Sequence, residues 1–140
     1  MNSFALAHAS GTEWKSITEK CLADLSNPEA RPGFEMLGLV YMTDSLAGDA
    51  GNILKLLRSR TGISDWVGSV GMGICATGQE YFDEPALAVL VAELPQDGFR
   101  LLELQDRPDA LRSDLLALAM AGDPGARPEK GSGKEGQSPE

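Results

Sequence analysis

Two short apolar segments constrain the fold of this chain most strongly. Residues 36–42 and 86–92 each hold seven consecutive apolar or glycine residues. Seven residues are far fewer than the ~20 that a membrane-spanning helix needs. A strand can be apolar at nearly every position only when both of its faces are covered. The segments therefore predict buried strands of a sheet, with residues 36–42 covered on both faces, and they argue against a transmembrane helix.

A strand and a helix are predicted before the first of these segments. Residues 3–9 alternate large and small side chains, as a strand does, and Ser10 and Glu13 have the spacing of a capping box. Apolar residues then recur at intervals of three or four, namely Trp14, Ile17, Cys21 and Leu25. Such a stripe predicts a helix with one face on a core.

The pattern between the two apolar segments predicts a βαβ crossover. A second helical stripe runs from Leu46 to Leu57, and Gly62 follows it as a helix-ending residue. Residues 63–70 read as the next strand, which we expect to be parallel to residues 36–42. The expected fold class is α/β, or mixed α+β, with a central mixed sheet and flanking helices.

Turn residues predict a hairpin near the C-terminus. Pro95, Gln96, Asp97 and Gly98 have the chemistry of a tight turn, so residues 99–104 are expected to return as an antiparallel strand. A final helix is predicted over residues 111–121. The last 18 residues, 123–140, contain no apolar side chain larger than Ala126 and are expected to be a disordered tail. One domain over residues 1–122 follows.

Charge and the rare reactive residues narrow the function classes. The chain has 12 basic and 21 acidic residues, a net charge of −9, which disfavours binding to nucleic acid or to anionic membranes. Two distant cysteines signal neither a zinc knuckle nor a disulfide framework, and a single histidine excludes paired-histidine metal sites. No cofactor or metal is expected, and the absence of a signal-like N-terminus favours the cytoplasm.

A glycine-rich segment, residues 67–73, is the most informative motif. Glycines at the end of a parallel strand let the backbone approach a ligand, and open α/β sheets bind ligands at the carboxyl ends of their strands. The GxxGxG spacing is not the dinucleotide fingerprint, and the lysine of a phosphate loop is absent. A bulge or bend that only redirects the strand explains the glycines equally well.

The charge around this motif indicates the kind of ligand. Residues 61–99 contain six acidic and no basic residues, so they repel anions and suit an amine or a zwitterion. Residues 78–85 are predicted to form a polar loop that lies outside the core. The alternative to a ligand site is that the acidic residues of this loop are merely solvated, although adjacent aromatics such as Tyr81 and Phe82 usually cover another part of the protein. The predicted ligand-binding residues are Gly68, Ser69, Val70, Gly71, Gly73, Glu80, Tyr81 and Asp83.

Three residues are candidates for catalysis. His8 is the only imidazole, and we interpret it as a partly buried structural residue. Cys75 follows the glycines, yet residues 61–99 supply no positive charge to activate it, so a small buried strand residue is the preferred interpretation. An enzyme that uses Cys75 or Ser69 as nucleophile is the competing hypothesis.

The order of the predicted elements resembles a known family: a short N-terminal strand, the Trp14 helix, and then three segments with a Leu-rich helix after the first of them. The three segments are the apolar strand residues 37–41, the run Asp65-Trp66-Val67-Gly68-Ser69-Val70-Gly71-Met72-Gly73-Ile74, and residues 86–95 with their Leu-Pro ending. The set is similar to the N-terminal part of the FIST (F-box and intracellular signal transduction) sensory domain over about residues 4–104. The resemblance implies a non-catalytic bacterial sensory domain that recognises small molecules such as amino acids.

The resemblance also has departures. Ser69 stands where relatives often carry Cys, and the family module continues into further strands and usually a second FIST domain. The chain is therefore expected to be a partial copy that signals through a partner protein or a missing C-terminal FIST domain. A third hypothesis is a truncated fragment that self-associates without ligand, through a sheet edge and the apolar helix over residues 111–121.

Overall fold

Six strands and two α-helices are found in the described part of the chain, which in this computed structural model comprises residues 4–26, 29–102 and 112. In chain order they are β1 (Phe4–Ser10), α1 (Trp14–Leu25), β2 (Phe34–Thr43), α2 (Ala50–Thr61), β3 (Trp66–Gly71), β4 (Gly73–Ala76), β5 (Gln79–Phe82) and β6 (Ala86–Pro95). A 3-10 turn over Asp44–Asp49 leads from β2 into α2.

Four of the strands form a mixed sheet in the order β1-β6-β2-β3. β6 lies antiparallel to both of its neighbours, β1 and β2, whereas β2 and β3 are parallel. Because β2, α2 and β3 follow one another along the chain, the predicted βαβ crossover and the α/β fold class are confirmed. β4 and β5 form a separate two-stranded hairpin.

The main core lies between the helices and one face of the sheet. Ile17 of α1 and Ile53 and Leu57 of α2 are fully buried in one cluster with alternate residues of β6, namely Leu87, Val89 and Val91. The predicted stripes of both helices are therefore confirmed, and Gly62 ends α2 with a φ of 70°. The predicted capping box is wrong, because Ser10 still belongs to β1 and Glu13 is the N-cap residue.

The opposite face of the sheet is less covered than predicted. On β2, Val40 and Met42 face the helices and are buried, but Tyr41 points the other way and is 41% exposed. Leu37 and Leu39, on the same side as Tyr41, are half-buried. The expectation that both faces of β2 are covered is therefore wrong within the described residues, since both described helices pack on one face.

The predicted C-terminal hairpin is also wrong. The turn after β6 is present, with the Gly98 amide donating to the Pro95 carbonyl at 2.7 Å, but residues 99–102 form no strand. β6 lies between β1 and β2 and has no free edge, so a returning strand cannot pair with it. Residues 103 and 104, and the helix and tail predicted over 111–121 and 123–140, lie outside the described residues, apart from residue 112.

Chain contacts divide the protein into two units, Met1–Phe99 and Arg100–Glu140. The first unit contains the six strands and the helices α1 and α2. The predicted domain boundary at residue 122 stays a prediction. Neither described helix has the length and hydropathy that crossing a bilayer requires.

Candidate functional site

The glycine-rich segment forms β3, an edge strand of the sheet. β3 ends at Gly71, which pairs with Thr43 at the end of β2, so both parallel strands present their carboxyl ends at the same place. A Cβ atom built on Gly68 would overlap the carbonyl oxygen of Val40. Close contact between two strands therefore explains this glycine without a ligand, although Gly68 itself remains exposed.

The two later glycines serve the passage from β3 into the β4–β5 hairpin. A Cβ atom on Gly71 would lie 3.0 Å from the Gly73 carbonyl oxygen, and one on Gly73 would lie 2.7 Å from Cδ2 of Phe82. Neither glycine has a positive φ. Space, not backbone conformation, requires glycine at these positions, which agrees with the bend interpretation.

Residues 78–85 do not form the polar loop that was predicted. Gln79–Phe82 is β5, which pairs with β4 around a turn at Gly78, whose φ is 79°. Tyr81 is only 7% exposed and packs in a small cluster with Ile74 of β4 and Ala86 and Ala88 of β6. Alternate residues of a strand face opposite sides, so Tyr81 faces the sheet while Glu80 and Phe82 face outward. This is why a segment of mostly polar residues still contributes a side chain to a core.

A hydrogen bond joins the hairpin to the first strand. The phenolic oxygen of Tyr81 lies 2.6 Å from Nδ1 of His8, and the two rings are 5.7 Å apart at their centroids. Burial is the main cause that raises the pKa of Tyr81, so the phenol stays neutral. His8 is half-buried, as the structural interpretation predicts, and Tyr81 fixes the hairpin instead of lining an open rim.

The remaining predicted site residues are exposed and face in different directions. Ser69 lies in the same cross-strand row as Tyr41, on the side of the sheet that carries His8, whereas Val70 points to the opposite side. Glu80 pairs with Cys75 and is exposed, and Asp83 is exposed with a φ of 54°. The structure therefore places the end of β3 and the β4–β5 hairpin next to each other along the chain, with these four side chains exposed and facing different directions.

Thr43 is a residue that the sequence analysis missed. It is 1% exposed, its hydroxyl donates to the Glu84 carbonyl at 2.8 Å, and its oxygen accepts from the Ala86 amide at 2.9 Å. Because Thr43 also pairs with Gly71, it holds the chain after Asp83 beside the carboxyl ends of β2 and β3. The sequence feature that could have identified Thr43 is its position directly after the apolar run 36–42, where a polar side chain is expected to hydrogen-bond to neighbouring backbone.

The two cysteines occupy different environments. Cys21 is fully buried in α1, and burial raises the pKa of its thiol to about 12, with a smaller contribution from Asp24. Cys75 is exposed on β4, so the interpretation of Cys75 as a buried strand residue is wrong. Its neighbour Ile74 takes the inward position, because alternate residues of a strand face opposite sides.

A shallow depression lies on the other side of the sheet, between α1 and α2. It has a volume of about 280 Å³ and is lined by Glu19, Leu22, Ala23, Leu25, Ser26, Arg60 and Thr61. An ion pair between Arg60 and Glu19, at 2.7 Å, crosses it at the surface. In the ranges that the structure describes, no three His, Cys, Asp or Glu side chains converge as a metal site would require.

These elements define the class of the protein: an α/β domain with helices on one face of a mixed sheet and a small hairpin against the other. A family model described as the FIST N domain matches residues 36–127, which is 92 of the 140 residues. The chain belongs to the FIST N domain family, a family of signal-transduction sensory domains. β1 and α1 precede the matched region.

Comparisons with other proteins add little beyond the family. One similar solved structure is the GTPγS-form protofilament of TubZ from Bacillus thuringiensis serovar israelensis, with 12% identity and a TM-score of 0.40, covering 86% of this chain and 30% of that one. An FtsZ-like protein from Nostoc punctiforme has 11% identity and a TM-score of 0.35, covering 67% of this chain and 91% of that one. No curated protein sequence matches the chain.

Proposed function

We propose that this chain is a non-catalytic bacterial sensory module that binds a small amine-bearing molecule, with free amino acids as the first candidates. The binding region is the junction between the carboxyl end of β3 and the β4–β5 hairpin. Of the predicted residues, Ser69, Glu80 and Asp83 supply exposed side chains and Gly68, Gly71 and Gly73 supply backbone groups. Buried Tyr81 holds the hairpin in place, and Val70 faces the other side of the sheet.

One observation carries the proposal. Thr43 pairs with Gly71 and hydrogen-bonds the carbonyl of Glu84, so the acidic turn at Asp83 and Glu84 lies next to the glycine-bearing ends of two parallel strands. Residues 61–99 contain no lysine or arginine. An ammonium group is attracted to such a field, whereas a phosphate or carboxylate alone is repelled. Exposed backbone at Gly68 offers hydrogen-bonding groups to the rest of a zwitterion.

The chemistry of the reactive side chains supports a binding role over catalysis. The one imidazole, His8, is hydrogen-bonded to a buried phenol, and the Cys21 thiol is buried and protonated at neutral pH. Cys75 is exposed, which keeps a nucleophilic enzyme as the second candidate. Alkylation separates the two: reactivity of Cys75 that extends well below neutral pH favours an enzyme.

Signalling requires that the ligand change the position of some element. The β4–β5 hairpin is the element that we expect to move, because it is short and few contacts join it and the turn after it to the sheet. These contacts include the Tyr81–His8 and Thr43–Glu84 hydrogen bonds. A ligand that binds one hairpin position better than another shifts the population between them. The receiver in this proposal is a signalling protein or a C-terminal FIST domain. We also propose a cytoplasmic location, since both cysteines are free thiols.

Thermal-shift screening of the full chain against the common amino acids and simple amines tests the ligand class. A ligand at 100 times its dissociation constant adds ~2.7 kcal/mol to the free energy of unfolding, which gives a clear rise in Tm. Asp83→Asn should reduce the rise, and asparagine keeps the positive φ of Asp83 accessible. Asp97→Asn, in the turn at the far end of β6, is the matched control and should retain it.

Two results contradict the proposal in different ways. A folded protein that responds to no member of the panel removes the amine-bearing ligand. A ligand that stabilises the wild type, Asp83→Asn and Asp97→Asn equally is bound at another place on the molecule.

A further inference from the structure

The side chain of Tyr81 fills a recess on the sheet face opposite the helices. Two alanines of β6, Ala86 and Ala88, form its floor, and Ile74 of β4 packs in the same buried cluster. A longer side chain at either alanine would take up the space of the ring, so the recess exists because β6 is small at these two positions. Ala86, Ala88, Ile74 and the adjacent His8 are called here the phenol socket.

The phenol socket also contacts the polar end of the ring. The phenolic oxygen of Tyr81 lies 2.6 Å from Nδ1 of His8. His8 pairs with Ala88 across β1 and β6, so the imidazole stands beside the alanine floor on the same side of the sheet. Small-molecule sites combine an apolar lining with a few polar groups that fix orientation. An apolar floor with one imidazole nitrogen at its side therefore suits a phenol better than a plain benzene ring or an aliphatic alcohol.

The element that carries Tyr81 is joined to the rest of the fold by few contacts. β4 and β5 have four residues each and form a sheet of their own, and an isolated two-stranded hairpin is marginally stable. The Tyr81–His8 hydrogen bond and the small cluster of the phenol socket tie these two strands to the main sheet. Segments with few buried contacts open locally while the rest of a domain stays folded.

Both ends of the hairpin are fixed, so its motion is confined to a short stretch of chain. β3 is paired with β2 up to its last residue, and the Thr43 hydroxyl donates to the carbonyl of Glu84. Between these points Met72 is 73% exposed and Phe82 is 68% exposed, so neither side chain is buried against the sheet. The hairpin can therefore lift Tyr81 out of the phenol socket without separating the paired strands of the main sheet.

We propose that the phenol socket is a binding site for the phenolic ring of another molecule, and that Tyr81 is its internal occupant, displaced when the hairpin opens. The contact between Tyr81 and the socket is then autoinhibitory. A ligand reaches the site only in the open fraction of molecules, and its apparent dissociation constant is the intrinsic constant divided by that fraction. A minor state has a population of about 10% or less, so Tyr81 should weaken binding about tenfold or more.

The probe is p-cresol, which matches the tyrosine side chain, and toluene is the same molecule without the hydroxyl. Binding to the full chain is measured by NMR titration of the amides of β1 and β6. Tyr81→Ala removes the internal occupant and should bind p-cresol about tenfold or more tightly than the wild type. Phe82→Ala is the matched control, because it removes an outward-facing ring from the same strand, and it should keep the wild-type affinity. Equal affinities of the Tyr81 and Phe82 variants overturn the proposal.

His8 accounts for the preference for a phenol. In the Tyr81→Ala protein, p-cresol should bind about fivefold more tightly than toluene, which corresponds to one hydrogen bond. Adding His8→Phe should abolish this difference, with the dispersion of the NMR spectrum verifying that the sheet is folded. A preference that survives the loss of the imidazole shows that the hydroxyl is bound elsewhere and overturns the assignment.

Hydrogen exchange in the wild type tests the displacement without any substitution. A near-saturating concentration of p-cresol should speed up the exchange of the amides of residues 73–82 but not of those of β6, because the bound state holds the hairpin open. Exchange of residues 73–82 that slows or stays unchanged while p-cresol binds would show that Tyr81 remains in place, and this result overturns the proposal.

This inference does not rest on the proposed function. p-Cresol carries no ammonium group and simple alkylamines carry no ring, so the two probes report on separate sites. A chain that binds p-cresol and responds to no amine retains the phenol socket and loses the amine site, and the opposite result does the reverse.

Discussion

Replacing Gly68 by alanine is the substitution whose effect the structure defines most closely. A Cβ atom at this position would overlap the Val40 carbonyl oxygen, which is backbone and cannot move aside as a side chain can. β3 must therefore separate from β2 near its centre. The separation breaks about two strand hydrogen bonds, at ~1 kcal/mol each. It also exposes part of Trp66, which is 8% exposed in the native protein, and this lost burial costs a further ~1–2 kcal/mol.

The expected loss is ~3 kcal/mol in the free energy of unfolding, a large share of the 5–15 kcal/mol that small domains possess. Urea titrations followed by circular dichroism and by tryptophan fluorescence measure it, and the Tm should fall by roughly 10 °C or more. Gly51→Ala is the matched control. Gly51 lies in α2 with nothing within 4 Å of a new Cβ, so alanine should stabilise by up to ~1 kcal/mol.

A Gly68→Ala protein whose stability lies within ~0.5 kcal/mol of the wild type, the range of ordinary surface substitutions, would refute the reasoning. It would mean that β3 does not lie against β2 as the pairing requires. The glycine would then need another explanation, and approach of a ligand to the backbone would be the first to consider.

Three further predictions concern single contacts. Iodoacetamide should label Cys75 in the native protein and Cys21 only after unfolding, because burial raises the pKa of Cys21 to about 12; mass spectrometry that finds both labelled at equal rates contradicts this. Tyr81→Phe should cost ~1 kcal/mol through the lost bond to His8, whereas Tyr41→Phe, at a 41% exposed position, should change urea stability little; equal losses would argue against the bond. Arg31 donates hydrogen bonds from its side chain and its backbone amide to the Glu93 carboxylate, and these bonds lower the pKa of Glu93. The pair therefore stabilises the folded state above the ordinary glutamate pKa, and this stabilisation is lost as the pH falls through the lower pKa of the folded protein. The acid side of the stability profile should therefore be flatter in Glu93→Gln, and an unchanged slope would show that this pair is not responsible.

Local patterns in the sequence were sufficient to predict most of the helices and strands. The apolar stripes of α1 and α2 and the runs that became β2 and β6 predict structure directly, because side-chain periodicity and the turn residue Gly62 act over a few neighbouring positions. The parallel pairing of β2 and β3 was also predictable from the sequence, because two consecutive strands that are joined by a helix usually lie parallel in the same sheet.

The tertiary structure alone decided which positions remain open to pairing or to solvent. β6 pairs with both β1 and β2, so the turn at Pro95–Gly98 has no strand edge to build a hairpin on. Tyr81 is buried, whereas Tyr41 and Cys75 are exposed. These outcomes depend on contacts between residues far apart in the chain, such as His8 with Tyr81 and Thr43 with Ala86. Periodicity determines which side of a strand a residue faces, but only the packed neighbours determine what, if anything, lies on that side.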